Sequence, residues 1–129
     1  MNGPTLRILL VEDDGDSAET LAVLLRIYGH EVEVAWDGPT ALRLAAAAPP
    51  DVALLDLGLP GGMDGYEVAR RLQEQKTDKL PLLVAVTGSG QDEDRRRSPE
   101  AGIHLHLLKP IDGQSLNRLL SRFQAILQR

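Results

Sequence analysis

Apolar residues along the chain fall into five short runs that are bounded by polar or turn-forming residues. Runs of this length, rich in Val, Ile and Leu, are typical of strands that are buried on both faces of a sheet. The predicted strands are LRILLV at 6–11, HEVEVAW at 30–36, DVALLDL at 51–57, LPLLVAVTG at 80–88 and GIHLHLL at 102–108. Nearly continuous apolar strands predict a parallel sheet that is covered on both faces.

Between and after these runs, apolar residues recur with the period of an amphipathic helix. The five predicted helices cover 16–28, 38–48, 66–75, a segment that begins at Gln91 and a segment that Asp112 caps. The inner stripe of the last helix is predicted to be Leu116, Leu119, Leu120, Phe123 and Leu127. Pro99 should end the fourth helix near Arg97 or kink it there, because proline lacks the N–H that a helix interior needs. Five strands alternating with five helices predict a doubly wound α/β fold.

The length and composition fit one globular domain, and we expect residues 1–129 to form it. The formal net charge is -5, with 19 acids against 14 bases, and aromatic residues make up only 3%. That balance disfavours direct nucleic acid binding, which uses basic surfaces and aromatic stacking. The chain has no cysteine, no apolar run long enough to cross a membrane and no apolar signal-peptide core near its start. We therefore expect a cytoplasmic protein that makes no membrane contact.

Polar and charged residues follow four of the five predicted strands. They are Glu12, Asp13 and Asp14 after the first strand, Asp56 after the third, Thr87 after the fourth and Lys109 after the fifth. Ligands of such sheets bind outside the carboxyl ends of the strands, so these side chains should meet at the binding edge. The end of the second strand, at Trp36 and Asp37, is expected to lie further away.

The predicted group has the chemistry of a magnesium site. Glu12, Asp13 and Asp56 would form an acidic cup, and oxygen ligands without His or Cys suit Mg²⁺ better than zinc. Three adjacent carboxylates also repel one another, so a positive charge is expected beside them. A bound cation would supply it, and Lys109 offers a second positive charge.

Each of these residues also has an ordinary structural explanation when it is considered alone. Asp13, Asp14 or Asp16 could cap the first helix, because aspartate is common at helix starts. Asp56 could belong to a turn, and a lysine such as Lys109 is most often solvated. Separate explanations would have to hold at four strand ends on the same edge of the sheet. One shared site explains all four together, so the joint pattern favours a shared site.

At this point a resemblance to a known family is plain. The blocks that carry it are ILLVEDD, DVALLDLGLPGGMDGYEVARRL, LPLLVAVTG and HLLKP. In order and spacing they resemble the signature blocks of the response-regulator receiver domains of two-component signalling, from about Leu6 to Leu127. The resemblance implies a flavodoxin-like sheet of strand order 2-1-3-4-5, like that of the chemotaxis regulators. It also implies a phosphoryl donor, either a histidine kinase or a histidine phosphotransfer protein.

The resemblance further implies a role for each site residue. Asp56 would be the phosphoacceptor. Glu12 and Asp13 would be the acidic pair, with Asp13 a direct Mg²⁺ ligand and Glu12 acting mainly through water. The backbone carbonyl of Gly58 would be another metal ligand. Such a domain catalyses only its own phosphorylation and dephosphorylation, and it is otherwise not an enzyme.

Three further expectations concern the switch. By resemblance, Thr87 would hydrogen-bond the phosphoryl group, Lys109 would form an ion pair with it, and the Lys109–Pro110 peptide is typically cis. His106 occupies the position where receiver domains often carry an aromatic switch residue. Strand alternation predicts that the side chains of His104 and His106 lie on one side of the sheet. The apolar side chains between and beside them should lie on the other side; these are Ile103, Leu105 and Leu107.

Two alternatives come from other functional classes. An Asp-nucleophile phosphohydrolase, whose chemistry resembles that of the haloacid dehalogenase family, needs a second acid two residues after its nucleophile. Gly58 stands at that position after Asp56. A dinucleotide-binding module is disfavoured because carboxylates after the first strand would repel a pyrophosphate. Within the receiver interpretation, a stand-alone regulator and a domain of a hybrid histidine kinase both remain open, as does the output.

Overall fold

The computed structural model describes residues 5–59, 61–75, 79–88 and 101–127. Its strands are β1 (Arg7–Val11), β2 (Glu31–Ala35), β3 (Val52–Asp56), β4 (Leu82–Thr87) and β5 (Leu105–Leu108). They form one sheet in the order β2-β1-β3-β4-β5, and every neighbouring pair is parallel. The predicted five-stranded parallel sheet and its strand order are confirmed.

The described residues contain four long helices. They are α1 (Gly15–Ile27), α2 (Gly38–Ala47), α3 (Gly65–Glu74) and α4 (Gly113–Leu127). The predicted helix that begins at Gln91, and the break predicted at Pro99, lie outside the described residues. None of the helices in the described ranges is both long and apolar enough to pass through a lipid bilayer.

Aspartates fix the starts of three of these helices by accepting backbone N–H groups that have no partner within the helix. Asp37 accepts from Thr40, and Asp64 accepts from Glu67, each at 2.9 Å. Asp112 accepts from Gln114 at 3.2 Å, as expected of the predicted cap. The helix starts are thereby held at the carboxyl edge of the sheet, where the predicted site lies.

Strand alternation divides the core into two apolar layers. Leu9, Val11 and Leu55 face the layer that α2 and α3 cover, whereas Ile8, Leu10 and Leu54 face the layer that α1 and α4 cover. All residues of the central strand β3 are buried, including Asp56 at its end. A strand that is buried on both faces explains why its sequence is apolar at successive positions.

The last turn of α4 departs from the predicted inner stripe. Leu116 and Leu120 are buried, and Leu119 and Phe123 pack partly against the core, but Leu127 is 52% exposed. The prediction for Leu127 is therefore wrong. A helix of 15 residues is about 22 Å long, whereas a strand of five residues spans about 17 Å. The helix is therefore longer than the strands that it covers, and its last turn extends beyond them.

The start of β5 also differs from the prediction. The Leu83 N–H donates to His104 Nδ1 at 2.9 Å, so an imidazole takes the place of a backbone carbonyl there. Regular pairing begins only at Leu105. Ile103 consequently packs against the α2/α3 layer while Leu107 packs against the α1/α4 layer, and the prediction that they share one side is wrong.

Gly65 determines how closely α3 approaches the end of β3. A Cβ atom at this position would lie 2.6 Å from the Asp56 carbonyl oxygen and 2.8 Å from the Leu57 Cα atom. Backbone atoms cannot move aside as a flexible side chain can. The missing side chain therefore lets the first turn of α3 rest directly on the backbone that carries Asp56.

We predict that Gly65→Ala destabilises the fold by about 1–3 kcal/mol, the usual cost of overpacking, and also displaces Asp56. Gly15→Ala is the matched control, because Gly15 also begins a helix and a Cβ there meets nothing within 4 Å. The control should be neutral or stabilising by up to about 1 kcal/mol. Urea unfolding of both variants measures the difference, and equal stabilities would contradict this role of Gly65.

A buried histidine joins the first two strands at the opposite edge. The Leu6 N–H donates to His30 Nδ1 at 3.4 Å, and the next residue, Glu31, donates its N–H to the Leu6 carbonyl. Burial lowers the pKa of His30 below its ordinary value of 6.5. The folded state therefore favours the neutral imidazole.

This shift predicts a stability that depends on pH. Above pH 6.5, His30 is mostly neutral in both the folded and the unfolded chain. Below pH 6.5, the imidazole of the unfolded chain binds a proton more readily than that of the folded chain. The free energy of unfolding should therefore fall as pH decreases from 7 toward 5. In His30→Asn the slope over that range should be smaller, as measured by urea unfolding at each pH. An unchanged slope would show that other groups cause it.

Candidate functional site

Three carboxylates come together at the ends of β1 and β3. Oxygens of Glu12, Asp13 and Asp56 all lie within 4.8 Å of one another. Glu12 is 6% exposed and Asp56 is 8% exposed, while Asp13 lies at the surface. The structure thus brings together the three acids that the sequence predicted to form a cup, with two of them inside the protein and one at its mouth.

Lys109 faces both buried carboxylates. Its Nζ atom lies 3.1 Å from Glu12 Oε1 and 3.5 Å from Asp56 Oδ2. The backbone N–H of Lys109 donates to the Thr87 carbonyl at 2.8 Å, which fixes this residue to the end of β4. The Lys109–Pro110 peptide is cis, as the resemblance implied.

Backbone amides hold the other oxygen of each buried carboxylate. The Asp14 N–H donates to Glu12 Oε2 at 3.1 Å, and the Gly58 N–H donates to Asp56 Oδ1 at 2.9 Å. In both cases the donor lies two residues after the acid. Each carboxylate is therefore held between its own turn and Lys109, which fixes its orientation before any ligand arrives.

Negative charge remains in excess at this group. Burial raises the pKa of Glu12, and the neighbouring Asp56 carboxyl raises it further, although the Asp14 N–H and Lys109 act in the opposite direction. Burial lowers the pKa of Lys109, but the hydrogen bond with Glu12 and the charge of Asp56 outweigh burial and raise it overall. Lys109 thus stays protonated, and three acids face a single lysine within the described group.

The remaining predicted residues lie at the same edge or along β5. Thr87 ends β4 and is paired in register with Leu108, directly before Lys109. His106 is paired with Ala85 on the edge strand β5 and is partly buried. The structure places the Gly58 N–H on Asp56, whereas the metal-binding role of the Gly58 carbonyl stays a prediction.

The end of β2 is joined to the acidic group by one backbone hydrogen bond. Because β2 is the direct neighbour of β1, the Glu12 N–H donates to the Ala35 carbonyl at 3.0 Å. Trp36 therefore stands one residue beyond a hydrogen bond to the acidic group, and it is 55% exposed. The expectation that Trp36 and Asp37 lie further from the acidic group than the other strand ends stays a prediction.

A cavity of about 560 Å³ opens beside the carboxylates and was not predicted. Its walls are mostly apolar and come from α1, the strand ends and the segment between β5 and α4. The lining residues are Leu10, Val11, Glu12, Asp16, Ser17, Thr20, Leu21, Leu24, Asp56, Val86, Lys109, Pro110 and Ile111. Segments that are distant in sequence build it, so no local pattern could reveal it.

Comparisons with known proteins agree on one family. The response regulator receiver domain family matches residues 8–121. The response regulator PleD of Caulobacter vibrioides is 39% identical over 124 residues, which cover 94% of this chain and 27% of that protein. The transcriptional regulatory protein AfsQ1 of Streptomyces coelicolor is 36% identical over 122 residues, which cover 95% of this chain and 51% of that protein. The chain thus spans between a quarter and about half the length of these relatives.

Solved structures show the same fold. The chemotaxis protein CheY4 of Vibrio cholerae superimposes with a TM-score of 0.85 at 28% identity, covering 93% of this chain and 99% of that chain. A signal receiver domain of a signal transduction histidine kinase from Syntrophus aciditrophicus gives 0.85 at 29% identity, covering 97% and 94%. The phosphohydrolase alternative gains no support from these matches. The family match, the shared fold and the acidic group beside a lysine together show that this chain belongs to the response regulator receiver domains of two-component signalling.

Proposed function

We propose that Asp56 accepts a phosphoryl group from a phosphohistidine on a histidine kinase or a histidine phosphotransfer protein. The observation that carries this proposal is the buried Asp56 carboxylate, oriented by the Gly58 N–H and faced by Lys109. In the reaction, an Asp56 oxygen forms a bond to phosphorus as the bond between phosphorus and the imidazole nitrogen breaks. The product is an aspartyl phosphate, and the imidazole leaves with the bonding electron pair.

Charge compensation is the main requirement of this step. An anionic carboxylate attacks an anionic phosphoryl group, so positive charge must lie beside both. Lys109 is placed for this role because its Nζ atom already contacts Asp56 and Glu12. We propose that Lys109 turns toward the phosphoryl oxygens in the product, where the added charge makes them the stronger partner.

The donor set of the acidic group fits Mg²⁺. We propose that Asp13, Asp56 and the Gly58 carbonyl would hold the ion, and that Glu12 would act mainly through water. Bound Mg²⁺ would supply positive charge to the phosphoryl oxygens. Because few of its ligands come from the protein, binding should be weak and leave several waters on the ion.

Thr87 and His106 are our candidates for the switch. The hydroxyl of Thr87 would hydrogen-bond the new phosphoryl group, since Thr87 ends the strand beside Asp56. That movement would pull the segment after β4 and alter the environment of His106 on β5. We propose that this surface passes the signal to a downstream protein. We propose that this chain does not itself bind nucleic acid, because its formal net charge is -5.

The larger setting of the domain is also a proposal. We place it in the cytoplasm, where a histidine kinase would obtain ATP, either as a regulator or as part of a hybrid kinase. The similar chains include response regulators and a receiver domain of a histidine kinase, so both settings are supported. The complete gene would decide between them.

We predict that wild-type protein incubated with Mg²⁺ and acetyl phosphate gains one phosphoryl group, and that Asp56→Asn gains none. The amide cannot act as the nucleophile but occupies nearly the same volume. Intact-mass spectrometry measures the adduct. Asp51→Asn is a matched control, because Asp51 directly precedes β3 at its other end and should not affect labelling. Equal labelling of Asp56→Asn would exclude Asp56 as the acceptor.

We predict that Asp13→Asn raises the stability of the metal-free protein while weakening Mg²⁺ binding. Two unit charges within 4.8 Å of each other repel by about 1 kcal/mol or more even in water, so we expect a gain on the order of 1 kcal/mol. Urea unfolding without Mg²⁺ and calorimetric titration with Mg²⁺ measure the two effects. Glu19→Gln, which removes an exposed charge further along α1, should change neither by a comparable amount. Undiminished Mg²⁺ affinity in Asp13→Asn would contradict the proposed ligand role.

A further inference from the structure

Trp36 is a large apolar side chain that the fold leaves in water beside the acceptor site. It is the only tryptophan of the chain and is 55% exposed. It stands directly after β2, where the Ala35 carbonyl accepts the Glu12 N–H. Exposed tryptophan is uncommon on surfaces that contact only solvent, and aromatic residues are enriched where proteins bind each other.

The local structure does not account for an indole at this position. Ala35 is fully buried and supplies the core contact at this strand end. Asp37 starts α2 by accepting the Thr40 N–H with its own side chain. Strand end and helix start are therefore secured by the residues on either side, and a small polar residue at position 36 would satisfy both.

The segments that flank Trp36 and the acidic group hold more acids than bases, and Arg43 is the nearest base to act on the Asp37 carboxylate. No Lys or Arg occurs from Glu12 to Leu25 or from Glu31 to Leu42. The exposed acids of these segments include Asp13, Asp14, Asp16, Glu19 and Asp37. A second copy of the chain seated on this surface would bring like charges together, which disfavours self-association. A partner that covers the indole should instead present basic residues around an apolar pocket.

We propose that Trp36 is an anchor by which this receiver recognises the protein that donates its phosphoryl group, and that this donor presents a basic rim around a pocket for the indole. The inference rests on the proposed function, since it takes Asp56 to be phosphorylated by another protein. The placement supports it, because a donor whose phosphohistidine reaches Asp56 must cover the strand ends. Trp36 and the acidic group lie on adjacent strand ends.

Phosphotransfer kinetics test the anchor. The donor is the histidine kinase that labels wild-type protein fastest among the purified kinases of the source organism. In Trp36→Ala we expect KM for this kinase to rise at least about tenfold, as for a hot-spot aromatic, with little change in kcat. Trp36→Phe should recover a substantial part of the loss. Ile27→Ala, which truncates a 74% exposed residue at the far end of α1, should leave KM and kcat unchanged.

Direct binding provides a second readout that a purely structural role would not change. Protein labelled with 5-fluorotryptophan should give one ¹⁹F signal, because Trp36 is the only tryptophan. Adding the unphosphorylated kinase should shift this signal, and raising the salt concentration should weaken the effect because the expected contact is between acids and bases. A shift that instead depends on receiver concentration alone would indicate self-association and overturn the proposal.

The outcomes separate this inference from the proposed function. If acetyl phosphate fails to label wild-type protein, the proposed function itself fails. If acetyl phosphate labels wild-type protein but neither a histidine kinase nor a histidine phosphotransfer protein of the source organism does, the donor-docking role is overturned while Asp56 remains the acceptor. A third outcome is that a kinase labels wild-type protein, KM is unchanged in Trp36→Ala and the ¹⁹F signal of Trp36 does not move. In that case Trp36 is not an anchor, and the proposal is overturned.

Discussion

The site depends on one lysine shared by two buried carboxylates. Lys109 lies 3.1 Å from Glu12 and 3.5 Å from Asp56, and a backbone amide holds the second oxygen of each acid. Without this cation, two carboxylates inside the protein would repel each other with little solvent to screen them. The same arrangement leaves the third acid, Asp13, at the surface with no ion pair to any described residue, and this excess of negative charge makes the group suited to a metal ion.

The parallel sheet is what allows residues that are distant in sequence to share that lysine. Glu12, Asp56 and Lys109 follow β1, β3 and β5, and the strand order brings all three ends to one edge. The fold also determines which residues border this edge of the sheet. Gly65 lets α3 rest on the Asp56 backbone, and the Ala35 carbonyl, one residue before the exposed Trp36, accepts the Glu12 N–H. The proposed acceptor and the proposed recognition residue thus both follow strands at the carboxyl edge of the sheet.

Sequence patterns predicted the parts that depend on local periodicity and on motif order. Apolar runs located all five strands, and the positions of the acids and Lys109 after the strands predicted that these four side chains would meet. The errors arose where tertiary contacts override the local pattern. A side-chain acceptor, His104, delays the start of β5, and the length of α4 carries Leu127 beyond the sheet. The cavity beside the acids forms only when α1 meets the segment after β5.

We propose that Lys109 compensates the charge of Glu12 and Asp56 until a phosphoryl group arrives. A crystal structure of the protein with Mg²⁺ and beryllofluoride, a mimic of the phosphoryl group, would show whether it does. We expect beryllofluoride bonded to an Asp56 carboxylate oxygen, Mg²⁺ on Asp13 and Asp56, and Lys109 Nζ moved from Glu12 to a fluorine atom. Beryllofluoride absent from Asp56, or Lys109 still paired with Glu12 beside a bound mimic, would contradict it.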